Sequence, residues 1–187
     1  MISTHPQQFP RQRIYAAALV LLAELACLAW EYFHGGVPSH HFLHRADMPS
    51  ISNWWGALVL PVLTWYLVGR IQRRVTTLAN ANATPVLPAS VIAGFFSALL
   101  FGIVMSICFV NGYKTGTEYL FLALLLAAVL LPVFRAECVL GFVLGMAFVF
   151  GAILPTLIGS IIATISALIY FGVRPLLFRL FAWRRRA

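Results

Sequence analysis

Long, nearly uncharged apolar runs, separated by short charged or turn-forming stretches, constrain this chain more than any other feature. Each run lasts for about 17 to 23 residues, the length that a tilted helix needs to cross a hydrocarbon core about 30 Å thick. Strands of a membrane barrel would instead alternate apolar and polar residues over about ten positions. The sequence therefore predicts an all-α fold, a polytopic bundle of transmembrane helices.

Composition supports the same fold class. Of the 187 residues, 61% are hydrophobic and 10% are charged, and the mean hydropathy is +0.91. Soluble domains carry about 25% charged residues, so we expect a single integral membrane domain over residues 1–187. In lipid every backbone N–H and C=O group needs an internal partner, which a helix provides. The first apolar run is too long for the core of a cleaved signal peptide, so we interpret it as a retained helix.

Six membrane spans are predicted, with approximate ranges 14–33, 52–69, 87–110, 118–134, 138–155 and 157–174. The last two come from one almost uncharged stretch, in which Pro155, Gly159 and Ser160 offer a place to turn. We predict two crossings joined by a tight hairpin there. The alternative is one broken or re-entrant element over 137–174.

The basic residues predict the orientation of these spans. With six spans, one side of the membrane receives most of the arginines, namely Arg11, Arg13, Arg70, Arg73, Arg74, Arg135, Arg174, Arg179, Arg184, Arg185 and Arg186. The other side receives Arg45 and Lys114. Because short cytoplasmic loops are the basic ones, both termini are predicted to be cytoplasmic, in a bacterial inner (plasma) membrane. The net charge of +8 is juxtamembrane, so we expect anionic lipid head groups at the arginine-rich C-terminus and no nucleic-acid partner.

The loop 34–51, which joins the first two spans, is rich in histidine and is predicted to lie on the non-cytoplasmic face. If Ser39 caps a short helix, His40 and His44 fall on one face, four residues apart, as in many zinc sites. His41 then points elsewhere. Imidazole with carboxylate suits zinc or another divalent metal, and the further candidate ligands are Glu31, His34 and Asp47.

Two other interpretations of this region remain open. In the first, the same polar side chains, together with Asn53, form a hydrogen-bonded cap over the bundle, and Trp54 and Trp55 anchor the helix at head-group level. In the second, the histidines give the protein a pH-linked role. The sequence does not choose between these and a metal site.

Glu24 lies near the middle of the first apolar run, where a carboxylate costs at least a few kcal/mol. Glu31 follows seven residues later and is rotated from it by only about 20° around the helix. Cys27 lies one turn from Glu24 on the same side. We therefore predict a polar stripe that faces the bundle interior or a wet cavity, where Glu24 is a packing residue, a proton relay or part of a ligand site.

The remaining acids have simpler interpretations. Lys114 and Glu118 are four residues apart at the start of the fourth span, which predicts an exposed ion pair, with Glu118 as a further ligand in the alternative. Glu137 is close to Arg135 in sequence, and we predict a structural ion pair there. The pattern Gly141-x-x-x-Gly145 permits close approach of another helix.

Three functions fit these features, and the sequence does not decide whether the protein is an enzyme. The first is a small inner-membrane protein with a periplasmic polar site that binds a metal ion or a polar ligand, with catalysis left open. The second is a transporter or channel that uses Glu24 as its intramembrane coupling group. The third is an accessory or assembly subunit that binds another membrane protein.

Overall fold

The computed structural model describes residues 8–36, 39–41, 50–82 and 88–176. These residues contain six α-helices, one near each predicted span: α1 (Gln8–Phe33), α2 (Gly56–Asn82), α3 (Ala89–Val110), α4 (Lys114–Leu130), α5 (Ala136–Phe150) and α6 (Ile153–Leu168). A 3₁₀ turn, Asn53–Trp55, leads into α2, and a π-helical turn, Ile169–Val173, continues α6. Two short strands, β1 (Ser39–His41) and β2 (Ser50–Ser52), pair in antiparallel fashion.

Four helical segments of the described chain are long and apolar enough to cross a membrane, and these are Arg11–Phe33, Asn53–Thr77, Ala89–Val110 and Ile153–Leu176. The helix α5 is also apolar but has only 15 residues. At 1.5 Å per residue it is about 22 Å long, which is shorter than the hydrocarbon core of a bilayer. The fold is thus a helical bundle whose lengths and composition suit a membrane protein.

Contacts between helix ends show that the helices run alternately in opposite directions. At one end of the molecule three side chains each join two helices, and the pairs are Arg13 with Gln72, Arg74 with Glu137, and Arg174 with the Leu130 carbonyl. These contacts bring the starts of α1 and α5 together with the ends of α2, α4 and α6. We call this the basic end, because Arg13, Arg70, Arg73, Arg74, Arg135 and Arg174 lie there.

The opposite end of the bundle carries other contacts. Asn53, just before α2, bonds to Glu31 near the end of α1, and Phe109 of α3 packs on Phe150 of α5 with ring centroids 4.6 Å apart. The helix α1 ends at Phe33, and Gly36 follows with a positive φ of 96°. Chain direction therefore reverses from each helix to the next along the described part of the sequence.

The tightest packing lies between α3 and α5. A Cβ atom at Gly102 would lie 2.8 Å from the Phe142 carbonyl oxygen and 3.2 Å from the Gly145 Cα atom. The Ser106 hydroxyl donates to the Gly145 carbonyl at 3.3 Å. The close approach predicted for Gly141 and Gly145 is confirmed, since a Cβ atom at either position would collide with the backbone of α3. Side chains of α4 and α6 close this core, including Leu124, Ala128 and Ile162.

The turn between α5 and α6 differs from the sequence prediction. The chain reverses at Gly151, whose φ is +69°, and Gly159 of α6 then packs against Phe142 and Val143 of α5. Pro155, where we expected the turn, is buried in the first turn of α6. Proline is tolerated there because the first N–H groups of a helix have no partner within it. The region is therefore a hairpin of two short helices.

Candidate functional site

Glu24 points from α1 towards α2. Its carboxylate lies against Gly56, the first residue of α2, and a Cβ atom at that position would collide with it. Glu24 is half-buried rather than fully exposed. Glycine thus leaves room for the carboxylate, and the positive end of the α2 dipole favours a negative charge at this place.

Glu31 lies closer to the end of α1 than Glu24 does, and Asn53 binds its carboxylate. The Asn53 side-chain nitrogen donates to both carboxylate oxygens of Glu31, at 3.1 Å each. Asn53 is only 7% exposed, and its Oδ1 atom is buried with no hydrogen-bond partner among the described residues. The turn that carries it is capped by Ser52, whose hydroxyl accepts from the Trp54 N–H at 3.4 Å. We call Glu24, Glu31, Asn53 and Gly56 the acidic seam.

His34 follows Glu31 by three residues, and one of its ring nitrogens is already hydrogen-bonded. Its Nδ1 atom is 2.8 Å from the Trp30 carbonyl oxygen, and its ring stacks on the Trp30 ring with centroids 3.8 Å apart. A carbonyl oxygen only accepts, so Nδ1 must carry a proton, and in neutral imidazole the lone pair is then on Nε2. A histidine that donates one nitrogen to a carbonyl and keeps the other free is the usual arrangement of a metal ligand.

His40 and His41 do not lie in the predicted helix. Ser39–His41 is a strand, with His40 opposite Ile51, so the interpretation of Ser39 as a helix cap is wrong. Of His40 and His41 the structure describes the backbone alone, and His44 and Asp47 lie outside the described residues. Among the described residues no group of three His, Cys, Asp or Glu side chains could hold a metal ion. The complete ligand set therefore stays a prediction.

The two carboxyl groups of the acidic seam lie at different depths along α1. Seven residues of helix correspond to about 10 Å along the axis, so Glu24 lies deeper than Glu31. Within the described part of the chain, no arginine, lysine or histidine forms an ion pair with either of them. Two carboxyl groups without a described counter-charge can attract a cation or share protons.

The basic end holds a second feature, which the sequence did not predict. Glu137 is 1% exposed and forms an ion pair with Arg74 of α2, whereas we expected Arg135 as its partner. Glu137 lines two openings: a cavity of about 350 Å³ among α3, α4, α5 and α6, and a cleft of about 1070 Å³ between α2, α5 and α6. We call the second opening the basic cleft, because Arg70, Arg74 and Arg135 line it.

The remaining predicted residues are Lys114, Glu118, Trp54 and Trp55. Lys114 is the first residue of α4 and both it and Glu118 are exposed, but these two described side chains form no ion pair with each other. Trp54 and Trp55 are each 54% exposed beside Asn53, a position that suits side chains at a membrane interface.

No protein-family model, curated protein or solved structure matches this chain. The function is therefore argued from the chemistry of the acidic seam and of the basic cleft. The acidic seam combines a buried amide oxygen with carboxylates, and His34, three residues after Glu31, has a free imidazole nitrogen. The basic cleft combines guanidinium groups with apolar walls.

Proposed function

We propose that this protein crosses a bacterial inner membrane six times, with both termini in the cytoplasm. The support is the clustering of arginines at one end of an alternating bundle, since basic residues are retained on the cytoplasmic side. On this proposal the basic end is cytoplasmic and the acidic seam opens to the periplasm. The short helix α5 then crosses in contact with α3 and α6, which bury much of its surface.

The proposed topology predicts which positions a membrane-impermeant maleimide reaches in intact cells. With Cys27, Cys108 and Cys138 replaced by alanine, we expect Lys114→Cys to be labelled from outside. Thr77→Cys and Leu176→Cys should react only after the cells are permeabilised. All three positions are exposed in the structure. Labelling of Leu176→Cys in intact cells, with Thr77→Cys still protected, would mean an odd number of crossings between the two positions, and labelling of both would mean the inverted orientation; either result would contradict the proposal.

We further propose that the acidic seam binds a divalent cation such as zinc on the periplasmic face. The observation that carries the proposal is the pairing of Glu31 with Asn53 at 3.1 Å, three residues before His34, whose Nδ1 atom is bonded to the Trp30 carbonyl and whose Nε2 atom is free. Carboxylate, amide oxygen and imidazole are all suitable ligands for divalent metals. The buried Oδ1 atom of Asn53 has no hydrogen-bond partner among the described residues, and a bound cation would satisfy it.

The remaining ligands are proposed to come from the loop. His40, His44 and Asp47 follow His34 by 6, 10 and 13 residues. The strand β1 pairs with β2, which directly precedes Asn53. Glu24 lies below the proposed metal position and would attract a cation inward. A site with a free coordination position would also allow metal-assisted hydrolysis, but binding is the function that this proposal asserts.

Zinc binding tests the role of the acidic seam. We expect purified protein to bind about one zinc ion, and we expect Glu31→Gln to weaken binding by at least about tenfold, the cost of roughly one charged ligand interaction. Isothermal titration with zinc alone and elemental analysis of the purified protein give the two measurements. Glu118→Gln, which removes an exposed acid from α4, is the matched control and should bind as the wild type does.

Other outcomes of this experiment separate the alternatives. A wild type that binds no zinc, or an equal loss in Glu118→Gln, would contradict the proposed site. Transport is the second candidate function, because Glu24 lies about 10 Å deeper than Glu31 along α1. If Glu24→Gln keeps zinc binding but abolishes zinc flux into proteoliposomes, transport is favoured. A metal-free protein that copurifies with a stoichiometric membrane partner would instead favour an accessory subunit.

A further inference from the structure

The basic cleft lies at the opposite end of the bundle from the acidic seam, so the inference from it is independent of the proposed cation site. Its volume of about 1070 Å³ is at the upper limit of ordinary ligand pockets, which range from about 300 to 1,000 Å³. The cleft is partly open rather than an enclosed cavity. A ligand of substantial size could therefore enter it from the surroundings of the bundle.

Apolar side chains form the floor and walls of the basic cleft. Leu63 and Leu67 project from α2, Val139 from α5, and Ala163 and Ala167 from α6. Because the side chains of the two alanines are small, they leave space between α2 and α6. Such a surface suits an acyl chain, because burial of apolar area stabilises contact in proportion to the area covered.

Positive charge is concentrated at one side of the same cleft. Three arginines and one glutamate line it, which leaves two net positive charges. Arg74 is neutralised by Glu137, whereas Arg70 is oriented by a 3.3 Å hydrogen bond from its Nη1 atom to the Tyr66 hydroxyl. Arg135 is half-buried, and its side chain has no ion-pair or hydrogen-bond partner within the described residues. Arg70 and Arg135 are thus available to an anion.

The C-terminal arginine that the structure describes is already occupied. Arg174 donates to the Leu130 carbonyl and lies over the Tyr170 ring, 5.0 Å from its centroid. Arg179, Arg184, Arg185 and Arg186, which carry most of the lipid contact predicted at the C-terminus, lie outside the described residues, whereas Arg70 and Arg135 are described and line the cleft. These two guanidinium groups are adjacent to an apolar surface of suitable size.

We propose that the basic cleft binds an anionic glycerophospholipid, with its phosphate between Arg70 and Arg135 and its acyl chain against α2 and α6. Guanidinium groups bind phosphate through paired hydrogen bonds, and basic pockets between transmembrane helices are known to hold anionic head groups. The apolar walls favour a lipid over free phosphate, because free phosphate has no acyl chain to bury against them. The lipid comes from the cytoplasmic leaflet if the topology proposed above is correct.

Native mass spectrometry of the full-length protein in detergent tests this lipid site. Dioleoyl phosphatidylglycerol should bind at lower concentration than dioleoyl phosphatidylcholine. Arg70→Gln/Arg135→Gln should raise the apparent Kd for phosphatidylglycerol by about tenfold or more, which corresponds to at least about 1.4 kcal/mol. Arg11→Gln/Lys114→Gln removes the same number of charges outside the cleft and should change the Kd by less than about twofold, since exposed charges contribute little.

A second variant addresses the walls without touching the charges. Ala167→Trp places a large ring in the basic cleft, and we expect the same loss of phosphatidylglycerol binding with the arginines intact. Circular dichroism confirms that each variant is folded, and one that is not is replaced by Arg135→Lys or Ala163→Leu at the same wall. Equal affinity for both lipids, equal losses in the cleft and control variants, or displacement of the lipid by millimolar glycerol phosphate would each overturn the proposal.

Discussion

Replacing Arg74 by alanine is expected to lower the free energy of unfolding by about 3 kcal/mol, because it leaves a buried carboxylate without its partner. Glu137 is 1% exposed, and its ion pair with Arg74 is the one salt bridge that joins two described side chains. Loss of one member of a buried pair typically costs about 3–5 kcal/mol. The Arg74 side chain is 31% exposed, so solvent screening places the expected value at the lower end of that range.

Reversible unfolding in detergent micelles, followed by circular dichroism, measures this effect. Arg73→Ala is the matched control, since Arg73 is the exposed neighbour on the same helix and should shift stability by no more than about 0.5 kcal/mol. The double variant Arg74→Leu/Glu137→Leu removes both charges and should be more stable than Arg74→Ala alone. Equal stabilities of Arg74→Ala and Arg73→Ala would show that the ion pair does not bind α2 to α5.

The same ion pair connects stability with the shape of the basic cleft. Arg74 and Glu137 both line the cleft, and the Glu137 side chain also packs on α3, since a Cβ atom at Gly94 would lie 3.1 Å from its Cγ atom. One buried carboxylate thus holds α2, α3 and α5 at their cytoplasmic ends in the proposed topology. Arg70 and Arg135 remain free for a ligand because Arg74 alone neutralises Glu137.

The helical class and the number of helices could be predicted because they depend on local hydrophobicity. Each of the six apolar runs corresponds to one α-helix. The bounds were less accurate, because charged residues that end a membrane span do not end a helix. The helix α2 continues to Asn82, well past the span predicted to end at residue 69. The helix α4 begins at Lys114, four residues before the predicted span, for the same reason. Lysine, arginine and glutamate all have good helix propensity.

The turn at Gly151 and the strand at Ser39–His41 could not be predicted in the same way. A positive φ is available to any glycine, and the sequence does not show which glycine adopts one. Proline was the more visible signal, yet Pro155 is compatible with the first turn of a helix. The pairing of β1 with β2 joins residues that are 9 to 13 positions apart, as Ser50 lies opposite His41 and Ser52 opposite Ser39. Such pairing depends on register rather than on local pattern.

The candidate sites show the same division between local and tertiary information. The relation between Glu24 and Glu31 follows from the helical repeat of a single helix, so it was available from the sequence. The partners of these residues, Gly56 and Asn53, come from the next helix and depend on how α1 packs on α2. Glu137 was assigned to Arg135 because the two are close in sequence, whereas its true partner is 63 residues away.

The second large effect is expected where α3 and α5 approach each other. Gly141→Ala and Gly145→Ala should each lower the free energy of unfolding by about 1–3 kcal/mol, the usual cost of overpacking. A Cβ atom at Gly141 would collide with the Phe95 carbonyl oxygen and lie 3.0 Å from the Leu99 nitrogen. Because both of these are backbone atoms, they cannot yield as a side-chain terminus would, and α3 must move away from α5.

The sign of this effect distinguishes packing from helix propensity. Alanine normally stabilises a helix by about 0.5–1 kcal/mol relative to glycine, so propensity alone predicts a gain of stability. Gly116→Ala in α4 is the matched control, because its Cβ atom would meet its nearest neighbour, the Tyr113 Cβ atom, at an ordinary 3.6 Å. We expect that variant to be neutral or slightly stabilised in the same unfolding experiment. If Gly141→Ala and Gly145→Ala also gain stability, the backbones of α3 and α5 are not in contact, and the core that positions Glu137 is not packed as the structure describes.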